Sequence, residues 1–119
     1  ILHAIVNQLQ LESNYGLSMS TSETYHLLTQ GNSISEISTI RHLKENTIRE
    51  HILELAFILN DFPFKFFVPE NLYNELHKAF ETKEDYSFKQ ALTDIPRLEF
   101  MYYRLVELER MRKNGATTI

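Results

Sequence analysis

The chain has 119 residues, no cysteine, and only three glycines and three prolines. Its length suits one domain with a modest core, and the scarcity of helix-breaking residues favours a mostly helical fold over an all-β one. The formal net charge of −4 is not that of a basic nucleic-acid-binding module, and no apolar run approaches the roughly 20 residues of a membrane span. Without cysteine there is no disulfide and no thiolate zinc site, which fits the cytoplasm.

The first predicted helix covers about residues 2–12. The chain opens on Ile1, with neither an initiator methionine nor the pattern of a signal peptide. This beginning predicts a fragment of a longer protein that starts inside a helix.

The second predicted helix follows a polar connection. Thr21 or Ser22 is predicted to cap it, and it ends before Gly31, since glycine suits the left-handed position that closes many helices. Its predicted apolar residues are Tyr25, Leu27 and Leu28.

Residues 31–52, GNSISEISTIRHLKENTIREHI, have the pattern of a helix-turn-helix. Ser33 and Glu36 fit a capping box at the start of the first helix. A short break is predicted over residues 42–44, and the second helix extends to about Leu59. The apolar residues at helical spacing are Ile34, Ile37 and Ile40 in the first helix, and Ile48, Ile52, Leu55 and Leu59 in the second.

The start of the second helix carries the candidate DNA-binding residues, because in this motif its first turns face the base edges. Asn46 suits adenine, and Arg49 suits guanine or a phosphate. The other candidate contacts to phosphate or groove are Ser33, Ser35, Arg41, His42, Lys44 and Thr47. The segment is formally neutral, so a packing unit without DNA remains the alternative.

The segment FPFKFFVP, residues 62–69, is too apolar for a free loop. We predict that it packs as an extended piece, with a short extended segment near residues 64–68. A base-stacking platform is the alternative interpretation, although Lys65 is the only cation among these aromatic residues.

The remaining chain predicts three helices. Pro69 suits the first residue of one helix, Ser87 caps a short one, and Asp94 or Ile95 starts the last, which ends at residues 114–115. The predicted apolar residues are Leu72, Leu76, Ala79 and Phe80 in the first of these helices, and Leu98, Met101, Tyr102, Leu105, Leu108 and Met111 in the last.

No catalytic signature is present: the chain has no nucleophile elbow, no phosphate-binding glycine loop and no HExxH. We therefore predict no enzyme, no cofactor and no metal. His51 is predicted to be packed rather than a metal ligand, because a site needs three or four converging ligands. Glu107 and Glu109 alternate with Arg110 and Arg112, which is typical of a solvated helix face.

The run TSETYHLLTQGNSISEISTIRHLKENTIREHILELAF, residues 21–57, resembles the helix-turn-helix domain near the C-terminus of some bacterial RecQ-type helicases. It also resembles the C-terminal part of the YpbB-like proteins of Gram-positive bacteria. Their pattern is G-x-S-I-x-E-I-A followed by R-x-L-x-x-x-T-I-x-x-H-L. The matching residues here are Gly31, Ser33, Ile34, Glu36, Ile37, Arg41, Leu43, Thr47, Ile48 and His51.

Three positions depart from that pattern: Ser38 replaces alanine, Ile52 replaces leucine, and Lys44 replaces the serine that caps the second helix. The later run YSFKQALTDIPRLEFMYYRLVELE is similar to the family's ending, so the resemblance covers most of residues 20–110. It implies an accessory module beside a helicase, or in a protein partnered with one, that binds DNA.

We therefore predict one all-α helix-turn-helix domain of six or seven helices over residues 1–119. Residues 1–19 would form a leading helix and connection, 20–60 the helix-turn-helix core, and 61–119 the C-terminal helices. The predicted function is a non-catalytic, DNA-binding accessory module in bacterial DNA repair or transcription control. The alternative is a protein-interaction module that docks a helicase partner or forms a homodimer without contacting DNA. Neither function is predicted to involve a membrane.

Overall fold

The computed structural model describes residues 18–115, and within them it contains seven helices and no strand. The predicted all-α class is confirmed, while the helix predicted over residues 2–12 lies outside the described residues. The helices are α1 (Met19–Thr29), α2 (Ile34–Arg41), α3 (Glu45–Ile58), α4 (Phe64–Phe67), α5 (Glu70–Thr82), α6 (Phe88–Asp94) and α7 (Phe100–Gly115).

The chain divides into two compact units, Ile1–Asn60 and Asp61–Ile119. In the first unit, α1, α2 and α3 pack against one another. In the second unit, α4, α5 and α6 each pack against α7. Within the described residues, no helix is both long enough and apolar enough to span a membrane.

The first unit has an apolar core from α2 and α3 and a polar contribution from α1. Ile37, Ile48 and Ile52 are fully buried, as the predicted spacing requires, whereas Ile40 at the end of α2 is exposed, contrary to that spacing. The buried residues of α1 are instead Thr21, Ser22 and Thr24. The apolar residues predicted for this helix, Tyr25, Leu27 and Leu28, are half-buried.

The predicted cap of α1, Thr21 or Ser22, was wrong. The helix begins at Met19 because Ser18 Oγ accepts a hydrogen bond of 3.0 Å from the backbone N–H of Thr21. The hydroxyl of Thr21 donates instead to Glu54 of α3. A distant helix therefore takes the side chain that the local pattern assigned to the cap.

Gly31 closes α1 as predicted. Its φ of 91° is left-handed, its N–H donates to the carbonyl of Leu28, and the N–H of Asn32 donates to the carbonyl of Leu27. These two bonds form a Schellman motif, which satisfies carbonyls that the helix end would leave without a donor.

The second unit is built around α7 and a group of aromatic rings. Leu76, Leu105 and Val106 are fully buried. The hydroxyl of Tyr103 donates to the backbone carbonyl of Tyr86 at 2.6 Å, which satisfies a polar group inside an apolar environment. Four aromatic rings lie within about 6.5 Å of the Tyr103 ring, centre to centre, close enough for aromatic pairing: Phe80, Tyr86, Phe88 and Phe100.

The extended segment predicted near residues 64–68 was wrong, because Phe64–Phe67 form one helical turn. Phe62 and Phe64 are buried, and the Phe62 and Phe67 rings stack at 4.9 Å between centroids. Ring packing on both sides of Pro63 favours the turn over an extended backbone. Phe66 differs from the buried phenylalanines of this segment, since 83% of its surface is exposed.

Two helix starts in the second unit differ from the prediction. Pro69 is the N-cap of α5 rather than its first residue. The last helix starts at Phe100 and not at Asp94 or Ile95, because α6 continues through Asp94. Ile95 is extended, as expected for a residue before proline. Ser87 caps α6 with a capping box, as predicted.

The acidic and basic residues of α7 are not all solvated. Glu109 accepts hydrogen bonds from the hydroxyl of Tyr73 at 2.6 Å and from Nε2 of His77 at 2.8 Å. Burial, with the carboxylate of Glu109 beside it, raises the pKa of Tyr73 to about 12. The prediction of a simple solvated face was therefore wrong at Glu109, which joins α7 to α5.

Candidate nucleic-acid interface

The start of α2 has the capping geometry that the sequence predicts. The N–H of Glu36 donates to Ser33 Oγ at 3.1 Å, and the N–H of Ser33 donates to Glu36 Oε1 at 2.8 Å. The hydrogen bond from the Ser33 backbone is the largest cause that lowers the pKa of Glu36. Ser33 and Ser35 are both exposed at this end of the helix.

The turn between α2 and α3 consists of three residues, as predicted. His42 adopts a left-handed conformation with φ of 55°, and the N–H of Leu43 donates to the carbonyl of Ser38. Ser38 Oγ also donates to the carbonyl of Leu43. This serine therefore helps to close the turn.

The first turn of α3 lacks a side-chain cap. Lys44 occupies the N-cap position with an extended backbone, and its side chain makes no capping hydrogen bond. His42 and Lys44 are both exposed. With eight residues at about 1.5 Å per residue, α2 separates this turn from Ser33 by about 12 Å.

The side chains of Asn46 and Arg49 are brought together. Arg49 donates to Asn46 Oδ1 at 3.1 Å and to Glu45 Oε1 at 3.3 Å. Asn46 is exposed, whereas Thr47 is half-buried and the Arg49 side chain keeps 25% of its surface exposed. The two predicted base-reading side chains thus bond to each other on one face of α3.

Arg41, a predicted phosphate contact, bonds to residues of α1. Its Nη1 donates to the carbonyl of Ser20 at 2.7 Å, and its Nη2 donates to Glu23 Oε2 at 3.0 Å. Only 12% of its side-chain surface is exposed. The guanidinium therefore joins the end of α2 to α1.

A buried polar network, which sequence reasoning missed, joins α1, α2 and α3. Thr24 Oγ1 accepts from Arg41 Nη1 at 2.5 Å and lies 2.7 Å from His51 Nδ1. His51 Nε2 lies 3.4 Å from Ser20 Oγ. The signal available in the sequence was the polar composition of α1, which supplies Thr24 as the partner of the buried His51.

His51 is buried, which confirms the prediction that its side chain is packed. Burial is the first cause that lowers its pKa, and the charge of Arg41 is the second. Glu54 and Glu50 act in the opposite direction and are outweighed. No cluster of three or more metal-ligating side chains occurs among residues 18–115.

Two short helices joined by a three-residue turn, with a third helix packed against both, define a helix-turn-helix protein. A family model described as a helix-turn-helix domain matches residues 20–107, and the chain belongs to this family. That membership suggests a role in DNA binding. No curated protein and no solved structure matches the chain.

Proposed function

We propose that the chain is a non-catalytic DNA-binding module in which α3 enters the major groove. The observation that carries this proposal is the exposed start of α3, where Lys44 ends the three-residue turn and Asn46 lies in the first turn of the helix. In this motif that end of the second helix meets the base edges.

Each candidate side chain has a role in this proposal. Asn46 and Arg49 read bases as a bonded pair, while Lys44 and His42 contact phosphate. The half-buried Thr47 contacts the edge of the groove. Ser33 and Ser35 contact the neighbouring phosphates through hydroxyl or backbone N–H groups, and Arg41 positions α2 against α1.

The charge of the module limits how tightly it binds DNA alone. Glu45 and Glu50 flank the reading face and are exposed, so they repel phosphate. A second DNA-binding partner on the same substrate would supply the missing affinity. This is consistent with the resemblance to helicase-associated domains, and we propose a RecQ-type helicase as that partner.

A fluorescence-anisotropy titration against duplex and single-stranded DNA at two salt concentrations tests DNA binding. We expect duplex binding that weakens steeply with salt, because bound cations are released from the DNA. Lys44→Ala should weaken binding to all duplexes and reduce the salt slope by about 1. Arg49→Ala should weaken it as well.

Lys89→Ala is the matched control, because it removes one exposed positive charge from α6 in the second unit. It should leave duplex affinity within error of the wild type. If Lys44→Ala and Arg49→Ala bind as tightly as the unchanged chain, the assignment of α3 to the groove is wrong.

A protein-interaction module is the second candidate function. It is favoured by the exposure of large aromatic side chains, since Phe57, Phe66 and Phe100 keep 70%, 83% and 50% of their surfaces exposed. Such residues are enriched at protein interfaces. A dimer or a helicase complex in light scattering that Phe66→Ser disrupts, and Lys44→Ala does not, would favour this function.

A further inference from the structure

We propose that Arg41, Thr24 and His51 form a clamp that holds α3 in its DNA-binding position and that opens when His51 takes up a proton. The clamp takes one side chain from each of three packed helices: Thr24 from α1, Arg41 from α2 and His51 from α3. Its effect on DNA rests on the proposed function, whereas its response to protons does not.

The hydrogen bonds assign the protonation state of His51. A guanidinium only donates, so Thr24 Oγ1 must accept the bond from Arg41. Among the contacts of the described residues, the acceptor for the hydroxyl hydrogen of Thr24 is then His51 Nδ1 at 2.7 Å. Nδ1 therefore carries a lone pair, and the ring is neutral with its hydrogen on Nε2, facing Ser20 Oγ.

A second proton has no place in this arrangement. It would add an N–H at Nδ1 that faces the hydroxyl hydrogen of Thr24, and the hydroxyl would have to turn away from its acceptor. It would also place a cation beside Arg41, whose side chain keeps only 12% of its surface exposed. A buried donor without an acceptor and two close positive charges both destabilise the packed state.

The charged groups around the ring come from all three helices. Arg41 of α2 opposes a positive charge on His51, while Glu50 and Glu54 of α3 favour it. Glu54 is already engaged, since it accepts from the hydroxyl of Thr21. On α1, Glu23 is paired with Arg41 at 3.0 Å. Glu54 and Glu23 thus each already have a partner other than His51.

Loss of the clamp would act on α3 directly. Arg41 is the last residue of α2, immediately before the turn, and His51 lies in the middle of α3. When the bond between Thr24 and His51 breaks, the angle between α3 and the pair of α1 and α2 is no longer set by this contact. DNA binding depends on that angle, because the start of α2 is presented to the backbone while α3 occupies the groove.

The test compares duplex binding at pH 7.5 and pH 5.5 with an NMR titration of the histidine rings of the free protein. We expect affinity to fall about fivefold at the lower pH, the lower end of usual couplings between two sites. This direction is diagnostic, because protonation of the exposed His42 alone would tighten binding to phosphate. The ring nitrogens of His51 should report a neutral Nε2–H form at pH 7.5.

His51→Asn keeps an acceptor for Thr24 without a titrating group, so its affinity should not fall at pH 5.5. Thr24→Ser should behave like the wild type, and Thr24→Val should change the titration midpoint of His51. The last two variants decide the question if His51→Asn does not fold. His26→Gln is the control, since His26 bonds to Gln30 within α1, and it should keep the wild-type response.

Binding that is unchanged or tighter at pH 5.5, with a His51 ring that titrates without moving the resonances of α1 and α3, would overturn the clamp. A chain that binds no DNA at pH 7.5 would refute the proposed function only. In that case the NMR titration and the Thr24 pair still decide whether the clamp responds to protons.

Discussion

At the scale of single residues, two of the described residues of the first unit have a left-handed backbone, one a glycine and the other a histidine. Gly31, with φ of 91°, closes α1, and a Cβ added there would meet nothing within 4 Å. His42, with φ of 55°, closes α2 with a full side chain. A left-handed conformation costs a non-glycine residue about 1–2 kcal/mol, so the turn of the motif stores strain that the end of α1 avoids.

We expect His42→Gly to stabilise the protein by up to about 1 kcal/mol, because relief of the left-handed strain is partly offset by the greater entropy of unfolded glycine. Gly31→Ala should destabilise it by about 1 kcal/mol for the converse reason. Urea unfolding followed by far-UV circular dichroism measures both changes. A His42→Gly protein that is less stable than the wild type would show that contacts of the imidazole outweigh the strain.

At the scale of helices, the start of α3 is less well capped than the starts of α1 and α2. α1 and α2 have serine caps, at Ser18 and Ser33, whereas Lys44 provides no side-chain acceptor at the start of α3. Its positive charge also lies beside the positive end of the helix dipole, which is unfavourable.

Lys44→Ser should supply the missing cap and stabilise the protein by about 1 kcal/mol, because a serine hydroxyl accepts one of the N–H groups that the helix start leaves without a partner. The melting temperature and the urea midpoint measure the gain. Lys44→Ala is the matched control, since it removes the same charge without adding an acceptor. Equal stability of the two variants would refute capping as the cause. Both should bind DNA more weakly than the wild type.

Helix starts with a capping box were predictable, and those set by packing were not. Ser33 and Glu36 are three residues apart and satisfy each other, so their pairing follows from sequence alone. Thr21 was assigned to the cap of α1, but Ser18 caps the helix, and the hydroxyl of Thr21 is taken by Glu54, more than thirty residues further along the chain. No local pattern contains that information.

At the scale of the whole molecule, the chain forms two compact units that each have an apolar core. Ile52 of α3 and Leu105 of α7 are fully buried and represent the two cores. The helix-turn-helix lies in the first unit. The family match nevertheless extends through residue 107 and includes most of the second unit.

Ile52→Ala and Leu105→Ala should each cost about 2–5 kcal/mol, because each leaves a cavity in a fully packed core. Hydrogen exchange followed by mass spectrometry locates the loss. We expect exchange to rise most in α1–α3 for Ile52→Ala and most in α5–α7 for Leu105→Ala. Equal rises throughout the described residues in both variants would show that the two units unfold as one.

The sequence by itself determined the helix-turn-helix, its capping box, its glycine stop and the apolar face of α3, because each depends on residues at most a few positions apart. Only the tertiary structure decided what the polar residues do. It placed Arg41 against α1, paired His51 with Thr24, and joined Glu109 to α5. These contacts link residues far apart in sequence, and a polar side chain bonds to whichever partner the packing brings within about 3 Å.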